Sequence, residues 1–266
     1  MENRQEDLSV QADQKFARQL KEIISQYLTD DLTEDHLQAF IDHRNPFDAT
    51  EYPDLGFAEK VLGVNKVISS NQAASAWWQG PEKGIWPGME VLENLVKIRY
   101  SKATLRKAAK ENKNKKADWR LIYIDGLSLY EQYKRKSRLF RKFVTWWLEF
   151  KHDKWGKFKP IAGYYLINFR GQFGKMKYED QEQEISRLGS KYKSCQEAVF
   201  IEAILTISLI NKEKIAGNWG HRGGLVYDGE QVIVGYNGET GIGIHSVNIS
   251  KAEPDMRIVV EREWDF

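Results

Sequence analysis

The last fifty residues constrain the fold most. Glycines at 217, 220, 223, 224, 229, 235, 238, 241 and 243 separate the short β-branched runs Leu225–Tyr227, Val232–Tyr236 and Ile242–Val247, and a further run, Arg257–Trp264, follows. Asp228-Gly229 and Asn237-Gly238 fall between alternating runs, the strongest short-range signal for a β-hairpin. The chain is therefore expected to close in a small antiparallel meander. A nucleotide-binding glycine loop opens a helix, whereas these glycines open strands, so tight turns account for them.

Upstream, helical and extended patterns alternate. Phe16, Leu20, Ile23, Ile24 and Tyr27 recur at three-to-four spacing and predict a helix over about 15–28. Asp31 with Glu34 has the form of a capping box, with Leu37, Phe40 and Ile41 as the apolar stripe behind it. A loop through Pro46, Pro53 and Gly56 precedes a weaker helical signal from Phe57, and 89–116 is helical in composition. Strands are expected at Trp119–Ile124 and Tyr164–Phe169, and helices at Tyr178–Leu188 and Ser194–Ile210. The clearest helix spans 127–150, with Tyr130, Tyr133, Phe140, Phe143, Val144 and Trp147 on one face. The fold class is α+β: a helical N-terminal region, then helices packed on a few strands with a C-terminal antiparallel meander. At 266 residues two modules are expected, an acidic region over 1–96 and a larger one over 97–266.

The net charge of +2 conceals three blocks. Residues 1–96 hold 8 Lys/Arg against 17 Asp/Glu, residues 97–160 hold 20 against 6, and residues 161–266 hold 12 against 15. The basic block includes Lys134, Arg135, Arg138, Arg141 and Lys142 on the polar side of helix 127–150, and Lys151, Lys154, Lys157 and Lys159 just beyond it. A phosphate backbone rewards such clustering, because each neutralised phosphate releases counterions. The expected function is non-catalytic binding of a polyanion, nucleic acid first, with those five cations on phosphates and Trp146 stacking on a base. An acidic protein surface, or the acidic N-terminal segment itself, would suit the same cations.

Nothing assigns a reaction. Asp125 with Glu149-Phe-Lys151 imitates a metal-nuclease motif, but Glu149 ends a helix where that motif needs a strand, and Glu111-Asn-Lys113 shows how readily the pair arises. His36, His43, His152, His221 and His245 show no zinc spacing, so no metal or other cofactor is expected. Cys195 is the single cysteine; it excludes an intramolecular disulfide and suits a cytoplasmic setting. The longest apolar stretch, Ala198–Ile210, contains Glu202 and is shorter than the roughly 20 residues of a membrane span. Trp77, Trp78 and Trp86 are either stacking surfaces or core.

ADWRLIYIDGLSLYEQY (117–133), GYYLINFRGQFGKMKYEDQEQEISRLG (163–189), EAVFIEAILTI (197–207), NWGH (218–221) and the REWDF ending resemble a family of bacterial proteins, frequent in candidate-phylum genomes, that has no assigned activity. The Gly- and Trp-rich end, with Arg222-Gly223-Gly224-Leu225, is also similar to a C-type-lectin-like module. That resemblance implies a second function: ligand or protein recognition by C-terminal loops around Trp219, His221, Arg222 and Tyr236.

Overall fold

The computed structural model describes residues 52–78, 96–141, 156–213, 215, 220–227, 230–237, 241–248, 250 and 256–265. The helices expected over 15–28 and behind Asp31 lie outside them. Residues 52–100 and 105–266 form one compact unit, and residues 1–51 with 101–104 form another. The larger unit holds the sheet. The fold is α+β, as expected.

Eight strands make one mixed sheet: β1 (Val67–Ile68), β2 (Trp119–Ile124), β3 (Gly163–Gln172), β4 (Tyr192–Ser194), β5 (Gly220–Tyr227), β6 (Glu230–Asn237), β7 (Gly241–Asn248) and β8 (Met256–Arg262). Their order is β1-β2-β3-β8-β5-β6-β7, with β4 also paired to β8. β5, β6 and β7 are the meander, each antiparallel to the next, with Tyr227 paired to Glu230 and Asn237 to Gly241; Asp228, Gly229 and Gly238 of the expected turns lie outside the described residues. The last strand does not extend it. β8 lies beside β5 in parallel and beside β3 antiparallel, which makes it the central strand.

Strand alternation divides the interior in two. On one face Ile122, Ile124, Tyr165, Ile167, Phe169 and Val259 pack with α2 (Ser70–Trp78), α4 (Leu129–Lys136) and α6 (Glu197–Asn211). On the other Leu121, Tyr164, Leu166, Ile258 and Val260 pack with α1 (Leu55–Leu62), α3 (Lys102–Lys113) and α5 (Tyr178–Leu188). The apolar stretch found in the sequence becomes α6, buried at every residue from Glu197 to Ile207, as a helix apolar on all sides must be. Trp77 belongs to this core, its Nε1–H donating to Thr206 Oγ1 at 2.7 Å. Among the described residues no helix is long and apolar enough to cross a membrane.

Two helical expectations are corrected. The helix predicted over 89–116 starts only at Lys102 within the described residues. Tyr100 just before it is held outside helical geometry: its hydroxyl donates to Arg262 O at 3.0 Å and accepts from Leu166 N–H at 2.9 Å. Within the described residues the helix predicted over 127–150 runs from Leu129 to Lys136 and passes into a single 3₁₀ turn, Ser137–Leu139; its stretch over 142–150 lies outside them. Phe140 then forms a parallel bridge to Ile242, and Arg141 N–H donates to Ile242 O at 2.9 Å. Pairing with β7 thus competes with continued helix and wins. Gly241 permits it, with φ +82° and no room for a side-chain carbon against Leu139 O.

The edge of β8 that faces β5 is shared. β5 pairs with its start through Gly220 and His221, and β4 pairs with its end through Tyr192, Lys193 and Ser194. The His221 imidazole fills the gap between them. Val259 N–H donates to Nδ1 at 3.1 Å, and Nε2–H donates to Cys195 O at 2.8 Å. The bond accepted by Nδ1 requires the neutral ring. Burial holds its pKa down to about 4 against an ordinary 6.5, although its backbone hydrogen bonds pull the other way.

Glu202 of α6 is the opposite case. Its carboxylate accepts the Asp125 and Leu127 N–H groups, yet burial outweighs them and pushes its pKa up to about 8 from an ordinary 4.5.

Two predictions follow from this geometry. Gly241→Ala should cost about 1–3 kcal/mol, read as a lower urea midpoint. For pH, the His221 contribution is intact above pH 6.5 and lost as the pH falls through 4, because the unfolded chain takes up its proton first. The Glu202 contribution is intact below pH 4.5 and lost as the pH rises through 8, because the folded chain keeps its proton longer. From pH 6.5 to 8 the Glu202 loss therefore acts without a His221 gain, and stability should fall by about 2 kcal/mol. Glu202→Gln should flatten that fall in urea titrations at the two pH values.

Candidate functional site

The turn between β2 and α4 is built for rigidity. Ser128 and Glu131 form a reciprocal capping box, and Gln132 Nε2 donates to Leu127 O at 2.9 Å and Ala198 O at 2.8 Å. Gly126, at φ +79°, brings the backbone so close to Pro160 O that a side-chain carbon would lie 2.7 Å from it. Segment 156–162 is therefore held against the start of α4.

This juxtaposition gathers cations from two stretches of sequence. Lys134 Nζ lies 4.3 Å from the centre of the Tyr130 ring, and Lys157 Nζ lies 5.9 Å from the same ring. Lys159 Nζ is 2.6 Å from Glu131 Oε1. Burial would raise the Glu131 carboxyl, but Lys159 and Ser128 outweigh it and hold its pKa below the usual value. Of the five cations expected to contact a polyanion, Lys134 and Arg138 are exposed. Arg135 and Arg141 are half-buried, and Arg135 is close enough to Glu202 to favour its charged form. Lys142 and Trp146 lie outside the described residues.

The residues expected to form a C-terminal recognition surface are placed differently. His221 and Arg222 are on β5 rather than in a loop, and both are fully buried. Arg222 Nη1 donates to Gln181 Oε1 at 3.2 Å and its Nη2 lies 3.0 Å from Met256 Sδ, tying β5 to α5 and β8. Tyr236 lies on β6, and Trp219 lies outside the described residues. A glycine-rich flank reads as a loop in sequence, whereas here it lets a strand carry large polar side chains into the interior.

The structure adds a cleft that the sequence did not single out. It has a volume of about 400 Å³, and Phe158, Ile161, Tyr165, Gln196, Glu261 and Trp264 are among its walls. Tyr165 is fixed by its hydroxyl, which donates to Ile161 O at 2.8 Å, and by the Trp264 ring 5.5 Å away. Trp264 is fixed in turn by Nε1–H donating to Tyr164 O at 2.8 Å, with the Arg99 guanidinium 4.6 Å from the ring centre. Phe158 and Ile161 leave 49% and 64% of their surfaces exposed, apolar area without cover among the described residues.

Glu261 is the unusual group. It comes from β8, paired with Ile167 of β3 and Lys193 of β4, and only 2% of it is exposed. Oε1 is 3.2 Å from Lys193 Nζ, whereas Oε2 has no hydrogen-bond partner among the described residues. Burial raises its pKa, against Lys193 and the neighbouring Cys195 thiol, which lower it. The thiol has one hydrogen, and Sγ lies 3.7 Å from Gln196 O. A charged residue at an inward position of the Arg257–Trp264 run was the available signal for Glu261.

The other ion cluster is closed. Arg120 Nη1 is 2.6 Å from Glu213 Oε2 and Nη2 is 2.8 Å from Asp118 Oδ2, and Lys66 takes the other Asp118 oxygen. Among the described residues no three His, Cys, Asp or Glu side chains are grouped to hold a metal ion. Compared with family models, curated proteins and solved structures, the chain matches none.

Cys195 is wholly buried, and burial lifts its thiol pKa well above the ordinary value. A neutral, enclosed thiol is inert. The native protein should leave Ellman's reagent unreacted over minutes, with about one equivalent released once urea unfolds it.

Proposed function

We propose that the protein binds a polyanion, nucleic acid first, through the cations gathered at Tyr130, without catalysing a reaction. The observation that carries this reading is the approach of Lys134 and Lys157, from segments far apart in sequence, to one aromatic ring. Arg138 is exposed one turn beyond Lys134, and neither makes an ion pair among the described residues. Cations spaced along a surface neutralise successive phosphates and release their counterions. Such contacts position a strand without reading its sequence, so the binding is expected to be tolerant of sequence. Lys142 and Trp146 belong to the same proposal on their sequence positions alone. A cytoplasmic setting is part of it too, consistent with an unoxidised buried cysteine.

The test is fluorescence anisotropy with labelled single- and double-stranded oligonucleotides, from low to physiological salt. The double variant Lys134→Ala/Arg138→Ala, both at exposed positions, should weaken binding to every sequence. It should also reduce the slope of log K against log salt by about 1.5 to 2. An unchanged slope in a folded double variant would count against the proposal.

A further inference from the structure

The cations at Tyr130 leave the lysines of α3 without a role. α3 turns Leu105 and Ala108 into the core, and Asn112 continues that inward side, its amide accepting from Trp119 N–H at 2.6 Å and donating to Trp119 O at 2.9 Å. Lys107, Lys110 and Lys113 recur every three residues away from it, about 4.5 Å apart along the axis, and all three are exposed. The helix closes in a Schellman turn, where Lys116 N–H donates to Glu111 O at 3.2 Å and Lys115 N–H to Asn112 O at 3.0 Å. That turn adds two more exposed lysines, Lys115 and Lys116, at the helix end.

Nearby carboxylates do not cancel these charges. Among the described residues none of the five lysines makes an ion pair. Glu111, the one carboxylate on α3, accepts from Trp119 Nε1–H at 2.6 Å through Oε2. Asp118 is held by Lys66 and Arg120. α1 adjoins α3 where the Arg106 guanidinium lies 5.4 Å from the Phe57 ring, and it brings Asp54, which caps it, and Glu59. Counting Glu111, Asp54 and Glu59 in full still leaves the surface positive.

The fold does not ask for five lysines here. The helix dipole favours cations in the last turn, which accounts for Lys110 and Lys113 alone. Lys115 sits at φ +55°, the left-handed position that glycine ordinarily takes at the end of such a turn. Its charge is kept against the preference of its backbone.

What the ridge lacks decides its partner. No large apolar side chain is exposed on it, so it offers nothing to a bilayer interior and no apolar centre to a protein interface. Its cations are all lysine, point charges on flexible stems rather than the planar forks that grip a carboxylate at two points. It exposes no aromatic ring on which an unpaired base would stack. A run of phosphates whose bases are already enclosed meets all three conditions, and a duplex carries one charge per about 1.7 Å of its axis.

We infer that the α3 ridge of Lys107, Lys110, Lys113, Lys115 and Lys116 docks on the backbone of a nucleic-acid duplex. The ridge shares no residue with the Tyr130 site and does not rest on that reading. It touches phosphates alone, so it positions the duplex without reading sequence.

The experiment is fluorescence anisotropy of the full chain with a labelled duplex of about twenty base pairs, from low to physiological salt. Lys107→Gln/Lys110→Gln/Lys113→Gln puts good helix formers at exposed positions. It should weaken binding and reduce the slope of log K against log salt by about 2 to 3. Lys115→Gly should raise the urea midpoint and still reduce that slope by about 0.9, which separates binding from folding. Lys134→Ala/Arg138→Ala is measured beside them. If it leaves the slope unchanged while the triple variant lowers it, the Tyr130 reading falls and the ridge stands; the reverse result overturns the ridge alone. Absence of duplex binding by the unaltered chain at low salt also overturns the ridge. So does a triple variant that loses binding to vesicles of anionic lipid while its duplex binding is intact.

Discussion

The Glu202 carboxylate, in the middle of a helix buried on every side, fixes the geometry of everything around it. An unsatisfied carboxyl there would be costly, and the Asp125 and Leu127 N–H groups are what satisfy it. Sliding α6 by one residue would rotate Glu202 by about a hundred degrees and strand both it and the two donors. The register of α6 and the turn after β2 are thus one decision. Ser128 caps α4 from that turn, and Gly126 sets segment 156–162 against it. The spacing of Lys134 and Lys157 around Tyr130, and one wall of the cleft, are consequences of a contact made in the core.

A second buried polar group settles the topology. A central strand needs partners on both edges along its whole length, and β8 has two short ones end to end on one side. The His221 ring supplies the donor and acceptor that backbone would otherwise supply at Val259 and Cys195. Phe200 of α6 lies against the same ring at 4.6 Å, so the sheet junction and the core helix are packed together. A neutral imidazole offers one donor and one acceptor at fixed separation, and no other side chain does so in that shape.

The elements that were legible in the sequence are those whose signal is local. The strand at Trp119–Ile124 and the helix at Tyr178–Leu188 lie where their patterns placed them, and the apolar stretch around Glu202 marked the core helix. Ser128 and Glu131 also carried a readable capping signal for the true start of α4. What local pattern could not give was competition over distance. Nothing near Lys136 ends a helix; β7, a hundred residues on, does so by pairing with Phe140. Nor does any spacing show that Arg257–Trp264 enters the sheet beside β3 and β5 rather than beside β7. His221 and Arg222 looked like loop residues because their glycine neighbours look like loop, and Glu261 became visible only when β3, β4 and β8 met around it.

The charge block is equally misleading when counted along the chain. Arg120 is enclosed, and Arg135 is half-buried and near enough to Glu202 to favour its charged form; their planar, multi-donor heads suit buried polar partners. Lys134 and Arg138 remain exposed, Lys134 with its Nζ 4.3 Å from the centre of the Tyr130 ring. Folding sorts one basic segment into cations that hold the structure and cations that face solvent, and only the second kind adds to the field an approaching anion meets within a Debye length of about 8 Å. The sum over residues 97–160 therefore overstates the surface potential of this region, while the convergence of Lys134 and Lys157 on Tyr130 concentrates what is left. Local density, set by the turn at Gly126, rather than net charge, decides the field that an anion approaching Tyr130 would meet.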